Sequence, residues 1–370
     1  MRRLTLAALL VALGLALSGC QETGEVENQA YVLVLAMDQT EDGALTLTAR
    51  VPRIGKSGAG DGKGESGGSP YLTFSVNAPS WPQALDALQW ATPRRINLSH
   101  IEMIVASEAL AARPSFPALL RAVANTPHLY TNARFVVCRG RAWAFLEAGE
   151  TVIGTRLSSE IRAMLSQYAH QGFIPDACLA DACYCANGIY GDAIAISGYV
   201  EGADAENIGD IVTESPMKQR FFGTALFAQG RLVGTLSPAE TRLFNLIRGQ
   251  RDAFPYPWRG TEIELVPASA SRRRVLLDGG GITLSLTVRL CAPDGLSDAD
   301  AATLEASVRG DILRLIEACQ SRGCDPFGFA EAAARHFPSV PEWLAFDWRA
   351  HYQSAVPDIE IVIPHSCPNP

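Results

Sequence analysis

The first twenty residues constrain this chain most, because they set where the fold begins and in which compartment it forms. Arg2 and Arg3 open the chain, and Leu4 to Leu17 is apolar apart from Thr5 and Gly14. Leu17-Ser18-Gly19-Cys20 closes the run with small residues and a thiol. A basic end, an apolar middle and a small-residue exit make an export leader. The apolar run falls short of the roughly 20 residues that a spanning helix needs. Folding is therefore expected to involve only the residues after this leader, outside the cytoplasm.

Leu-Ser-Gly-Cys resembles a bacterial lipobox, which implies cleavage before Cys20 and lipidation of its thiol. The leader is then residues 1–19, and the mature chain of 351 residues (370 less 19) is held to a membrane by acyl chains such as palmitate. Each buried methylene of such a chain contributes about 0.8 kcal/mol. Residues 20–28 read as a polar tether carrying Glu22, Glu25 and Glu27. No later apolar stretch approaches membrane length, so the lipid is the expected attachment.

Apolar residues make up 48% of the chain and charged residues 19%, which places it among globular proteins. Its length suits two domains with cores of their own. Losing Arg2 and Arg3 takes the net charge from −8 to −10. Such an acidic chain is not expected to bind nucleic acid. Arg272-Arg273-Arg274, beside a strand-like run, reads as a solvated edge.

Beyond Cys20 there are eight cysteines, in a chain whose expected compartment permits disulfides. Cys178, Cys183 and Cys185 share one short stretch, and Cys319 and Cys324 flank Gln-Ser-Arg-Gly. These five are the disulfide candidates, with free buried thiols as the alternative. Their C-x4-C and C-x-C spacings, without a nearby histidine, do not suit a metal.

The apolar run Ala30 to Met37 predicts a buried strand, and the alternation Leu45, Leu47, Ala49 a half-buried partner. The glycine-rich tract 53–70 reads as a loop; no hydroxyl follows Lys63, so it is no phosphate cradle. Strands are expected over 71–76, 101–106, 133–138 and 193–200, and helices over 80–90, 116–124 and 155–170. Residues 201–216 are polar and read as a linker, dividing an N-terminal domain, 29–200, from a C-terminal one, 217–366. In the second, Phe221–Phe227 and Leu232–Thr235 predict a hairpin, and Ser237-Pro-Ala-Glu240 a capping box. Three strand-like runs, helices over 298–319 and 327–337 and a last strand, 359–363, complete it. The fold class is α+β, with mixed and antiparallel sheets packed by helices.

The order of these pieces resembles the Ger(x)C family of spore-germination lipoproteins. The lipobox, Arg94-Arg95-Ile-Asn-Leu-Ser-His100, Gly223-Thr-Ala-Leu-Phe227 and Arg231-Leu-Val-Gly234 contribute. The most specific stretch is Cys324-Asp-Pro-Phe-Gly-Phe-Ala-Glu331, followed by His336-Phe-Pro338, Trp343 and Trp348. The resemblance implies a non-enzymatic, cofactor-free C subunit of a nutrient-germinant receptor. Family members sit on the outer face of the spore inner membrane, with an integral-membrane A subunit and a transporter-like B subunit. The tract 53–70 and the cysteines at 178–185 are not family features.

The residues themselves offer no catalytic constellation. Gly154-Thr-Arg and Gly198-Tyr-Val offer no Gly-x-Ser-x-Gly elbow, and His100-Ile-Glu102 lacks the Pro-Cys-x-x-Cys of a zinc deaminase. The six histidines are scattered without ligand spacing. The aromatics Phe327, Phe329, Phe337, Trp343, Phe346 and Trp348 read as core more readily than as a docking patch. Two other functions stay open: a lipid-anchored solute-binding protein of a transporter, which would show two like α/β lobes, and an envelope hydrolase.

Overall fold

The computed structural model describes residues 28–53, 71–149, 157–187, 189–200, 218–250, 252–278, 281–293 and 296–364. The expected leader 1–19, Cys20 and nearly all of the tether, tract 54–70 and linker 201–216 lie outside the described residues.

The first half runs β1 (Gln29–Tyr31), β2 (Val34–Gln39), β3 (Leu45–Pro52), β4 (Tyr71–Ala78), α1 (Trp81–Ala91), β5 (Arg95–Asn97), β6 (Met103–Ser107), α2 (Glu108–Ala111), α3 (Phe116–Ala124), β7 (Arg134–Cys138), α4 (Ala142–Glu147), α5 (Leu157–His170), α6 (Leu179–Asn187) and β8 (Ile194–Val200). The second runs β9 (Gln219–Ala228), β10 (Arg231–Leu236), α7 (Pro238–Arg248), β11 (Phe254–Trp258), β12 (Thr261–Pro267), β13 (Arg272–Asp278), β14 (Gly281–Cys291), α8 (Asp298–Ser321), α9 (Phe329–Ala334), α10 (Val340–Ala345), α11 (Trp348–Ser354) and β15 (Val356–Val362).

Eight strands form the larger sheet, in the order β10-β9-β8-β7-β6-β2-β3-β4. Its middle, β2, β6, β7 and β8, is parallel, and its flanks are antiparallel. Both faces are covered, as parallel strands require. Leu35, Met37, Ile104, Phe135 and Phe227 face one core with Phe116, Leu120 and Leu88. Val34, Ala36, Val105, Val136 and Ile196 face the other, which continues into the second half of the chain. The smaller sheet is built on β14, paired antiparallel with β12 and β13 and parallel with β15. Alternate residues of β14 are buried, and α8 buries Leu304, Val308, Ile312 and Leu315. The fold is α+β with mixed and antiparallel sheets.

The run Ala30 to Met37 is two strands rather than one. Val32 N–H donates to Asn97 O at 3.0 Å and Leu33 N–H to Arg50 O at 2.9 Å, so the chain changes partners between β1 and β2. The hairpin β9–β10, expected in the C-terminal domain, completes the first sheet by pairing with β8. A cut at 201–216 therefore divides the chain but not that sheet. Gly223, inside β9, lets the end of β10 come close. It has φ +70°, and a Cβ there would lie 2.0 Å from Leu236 O. The capping box forms as expected: Glu240 N–H donates to Ser237 Oγ, and Ser237 N–H to Glu240 Oε2 at 2.8 Å.

Candidate functional site

Asp325 begins the Asp-Pro-Phe-Gly-Phe segment and explains its composition. Gly328 takes φ +82°, turning the chain into α9. The amides of Phe329 and Ala330 then point back at the Asp325 carboxylate, at 3.3 and 2.6 Å. Phe327 and Phe329 are fully buried on either side of the turn. Trp348 Nε1 donates to the same carboxylate at 3.3 Å. Burial outweighs these bonds and pushes Asp325 up to about 6, with the Asp192 charge adding to the rise.

Asp192 comes from the first half of the chain, two residues before β8. Its backbone N–H donates to Asp325 O at 3.0 Å, and its carboxylate accepts Asp325 N–H at 2.9 Å. It also accepts Gln229 N–H at 3.0 Å and two bonds from Arg349, at 2.6 and 3.2 Å. Arg349 donates further to Gly323 O at 3.2 Å. The Asp192 side chain is 4% exposed and that of Arg349 37%, so the pair is buried from one side only. One carboxylate thus fastens the turn of β9–β10, the turn leading into α9 and helix α11 to the start of β8.

Aromatic rings surround this knot. Trp343 Nε1 donates to Ile189 O at 3.0 Å, again joining the two halves of the chain. Trp343 lies 5.9 Å from both Tyr190 and Trp348, and Trp348 lies 5.6 Å from Tyr352. A cavity of about 210 Å³ opens here, lined by Ile189, Asp192, Trp343, Asp347 and Arg349. The Tyr352 hydroxyl is buried without a hydrogen-bond partner. Of the six tail aromatics expected in the core, Phe327, Phe329, Trp343 and Trp348 are buried, while Phe337 and Phe346 are half-buried against it.

None of the five cysteines expected to form disulfides is disulfide-bonded. In α6, Cys183 and Cys185 stand two residues apart, a spacing at which helical side chains do not face each other. Cys183 is buried, with its thiol on Leu120 O at 3.7 Å, whereas Cys178 reaches Asp181 Oδ2 at 3.2 Å. Cys319 and Cys324 do meet at the end of α8. Gly323 at φ +66° lets Cys324 N–H bond Cys319 O at 3.1 Å. The Cys324 thiol lies on that same oxygen at 3.5 Å. Hydrogen bonding from Cys324, then burial, pushes the Cys319 thiol up. Cys291 is the disulfide-bonded cysteine among the described residues.

No group of three or more His, Cys, Asp or Glu that could hold a metal is found among the described residues. His100 packs edge-on against Tyr31 at 5.0 Å, and His351 stacks on Phe346 at 4.3 Å. No described helix is long and apolar enough to cross a membrane.

Residues 22–197 match the family described as spore germination protein, N-terminal domain. Residues 222–364 match the one described as spore germination B3/GerAC like, C-terminal. The chain belongs to the Ger(x)C family of spore germination proteins. That family supplies subunits of germinant receptors and is not a known enzyme family. YfkR of Bacillus subtilis (strain 168), a protein named for spore germination, is 20% identical over 371 residues, 94% of this chain and 91% of that protein. Spore germination protein KC of the same organism is 25% identical over 137 residues, 37% of this chain and 34% of that one. The crystal structure of the GerBC protein shares the fold, with a TM-score of 0.51 at 16% identity, over 88% of this chain and 95% of that chain.

The sequence pointed to Asp325 through its motif and gave no sign of Asp192. A lone aspartate in Tyr-Gly-Asp-Ala has nothing to set it apart until β8 brings it to the turn 133 residues away.

Proposed function

We propose that this chain is the lipid-anchored C subunit of a nutrient-germinant receptor. Cleavage before Cys20 and acylation of its thiol hold it on the outer face of the spore inner membrane. There it acts without catalysis, in receptor assembly or signalling, beside an integral-membrane A subunit and a transporter-like B subunit. The observation that carries this reading is the family match across both halves of the chain, 22–197 and 222–364. The Asp192–Asp325–Arg349 knot supports it, because it joins those halves into one body suited to a scaffold. Its carboxylates are committed to backbone amides, Trp348 and Arg349.

Co-isolation tests the proposal. The chain is tagged at its C-terminus, purified from dormant-spore inner membranes in mild detergent, and its companions are identified. One multi-span subunit and one transporter-like subunit are expected. Recovery with an ABC permease, or presence in vegetative membranes and absence from spores, would overturn it.

A further inference from the structure

Trp90 is 88% exposed, the most exposed large apolar side chain among the described residues. It stands at the end of α1, whose Trp81, Ala84 and Leu88 face the core, so packing makes no use of it. Arg94 and Arg95 follow, the second exposed. The loop that carries them is latched to the helix. Gln89 Nε2 donates to Arg94 O at 2.9 Å, and Ile96 N–H donates to Gln89 Oε1 at 2.9 Å. Tyr130, 46% exposed, is tied in alongside through its N–H to Leu98 O at 3.1 Å. From Ser80 to Ile101 the one acid is Asp86, a turn back from Trp90, in a chain of net charge −8. Glu102 comes next and is held by Arg162.

This patch lies where the chain enters the fold. β1 pairs with β5, placing Gln29 opposite Arg95. Only eight residues, Gln21 to Asn28, separate Gln29 from Cys20, and fully extended they reach about 28 Å. An anchor at Cys20 therefore keeps this end of the molecule within reach of the bilayer. Exposed tryptophan and tyrosine sit at headgroup depth, and arginines pair with lipid phosphates. The tether's Glu22, Glu25 and Glu27 offer no attraction of their own to an anionic leaflet, so the cations at its far end supply it.

The geometry points to a second membrane contact: the face formed by Trp90, Arg94, Arg95 and Tyr130 docks on phospholipid headgroups and fixes how the subunit stands on the membrane. This rests on the Cys20 anchor.

The test uses the lipidated chain in vesicles of phosphatidylcholine with 30% phosphatidylglycerol, some carrying bromine on the acyl chains. Tryptophan quenching by bromolipid is expected in the wild type and is expected to be largely lost in Trp90→Phe. For the unacylated Cys20→Ala chain, Arg94→Gln/Arg95→Gln is expected to weaken binding to the same vesicles about 30-fold. That figure follows from about 1 kcal/mol per cation near an anionic leaflet and 1.4 kcal/mol per tenfold. Mass spectrometry of the N-terminal peptide separates the two readings. An unmodified Cys20 overturns the anchor and with it the docking. An acylated Cys20 with equal quenching in wild type and Trp90→Phe overturns the docking alone. So does Trp90 shielded from acrylamide but not reached by bromolipid, which would make the occupant a protein.

Discussion

Replacing Asp192 with alanine removes the acceptor of the Gln229 and Asp325 amides and the counterion of Arg349. Each abandoned backbone donor costs about 1–3 kcal/mol when water cannot replace the partner. Arg349 is more than a third exposed and rehydrates, so its share is only about 1 kcal/mol. Removing the charge that pushes Asp325 upward offsets part of this. The net loss is expected to be about 4 kcal/mol, large against the 5–15 kcal/mol that holds a typical fold together. The assay is urea unfolding at pH 7 of residues 20–370 carrying Cys20→Ala, followed by tryptophan fluorescence and far-UV circular dichroism. Because Asp192 fastens three elements of the second half to β8, the two signals are expected to part in Asp192→Ala. Fluorescence from Trp343 and Trp348 should change first. Asp192→Asn keeps one oxygen for an amide and should recover about half the loss. Asp192→Ala within 1 kcal/mol of wild type, with a single coincident transition, would refute the knot as the joint between the halves.

Asp325 has a folded pKa of about 6 against an ordinary 3.8, so the folded state binds the extra proton between these values. Its contribution is complete below about pH 4 and is lost as pH rises through about 6, a change of about 3 kcal/mol. Stability measured against Asp325→Asn across pH 4–7 checks this, and a difference that grows with pH would contradict it. Gly223→Ala forces a Cβ to within 2.0 Å of Leu236 O at φ +70°, and is expected to cost at least 3 kcal/mol or abolish soluble expression. Ser237→Ala breaks a capping box and should lower stability by about 1 kcal/mol, read from the thermal midpoint. Burial raises the Cys183 and Cys185 thiols to about 11, so iodoacetamide at pH 7 should label both slowly until denaturant is added.

Much of the local structure was legible in the sequence because its causes lie within a few residues. Ser237 and Glu240 are three apart and form their box in any context that starts a helix there. Thr283 to Leu290 alternates, and β14 buries its alternate residues accordingly. Where local signals conflicted, reading failed. Phe254–Trp258 contains two prolines yet is strand β11, because Pro255 and Pro257 sit on the edge of the sheet. The 327–337 segment reads as one helix, but α9 covers only Phe329–Ala334, its start set by Asp325 and Gly328. The apolar periods, the caps and the family pattern ending in Asp325 to Trp348 belonged to the sequence alone. Tertiary structure decided that one apolar run splits between β1 and β2, and that β9–β10 completes the sheet of the other half. It decided that Cys319 and Cys324 meet as thiols, and that Asp192 finds Asp325 and Arg349 across more than 130 residues. These outcomes depend on which distant groups share a buried volume, and a buried carboxylate must take whatever donors that volume brings to it.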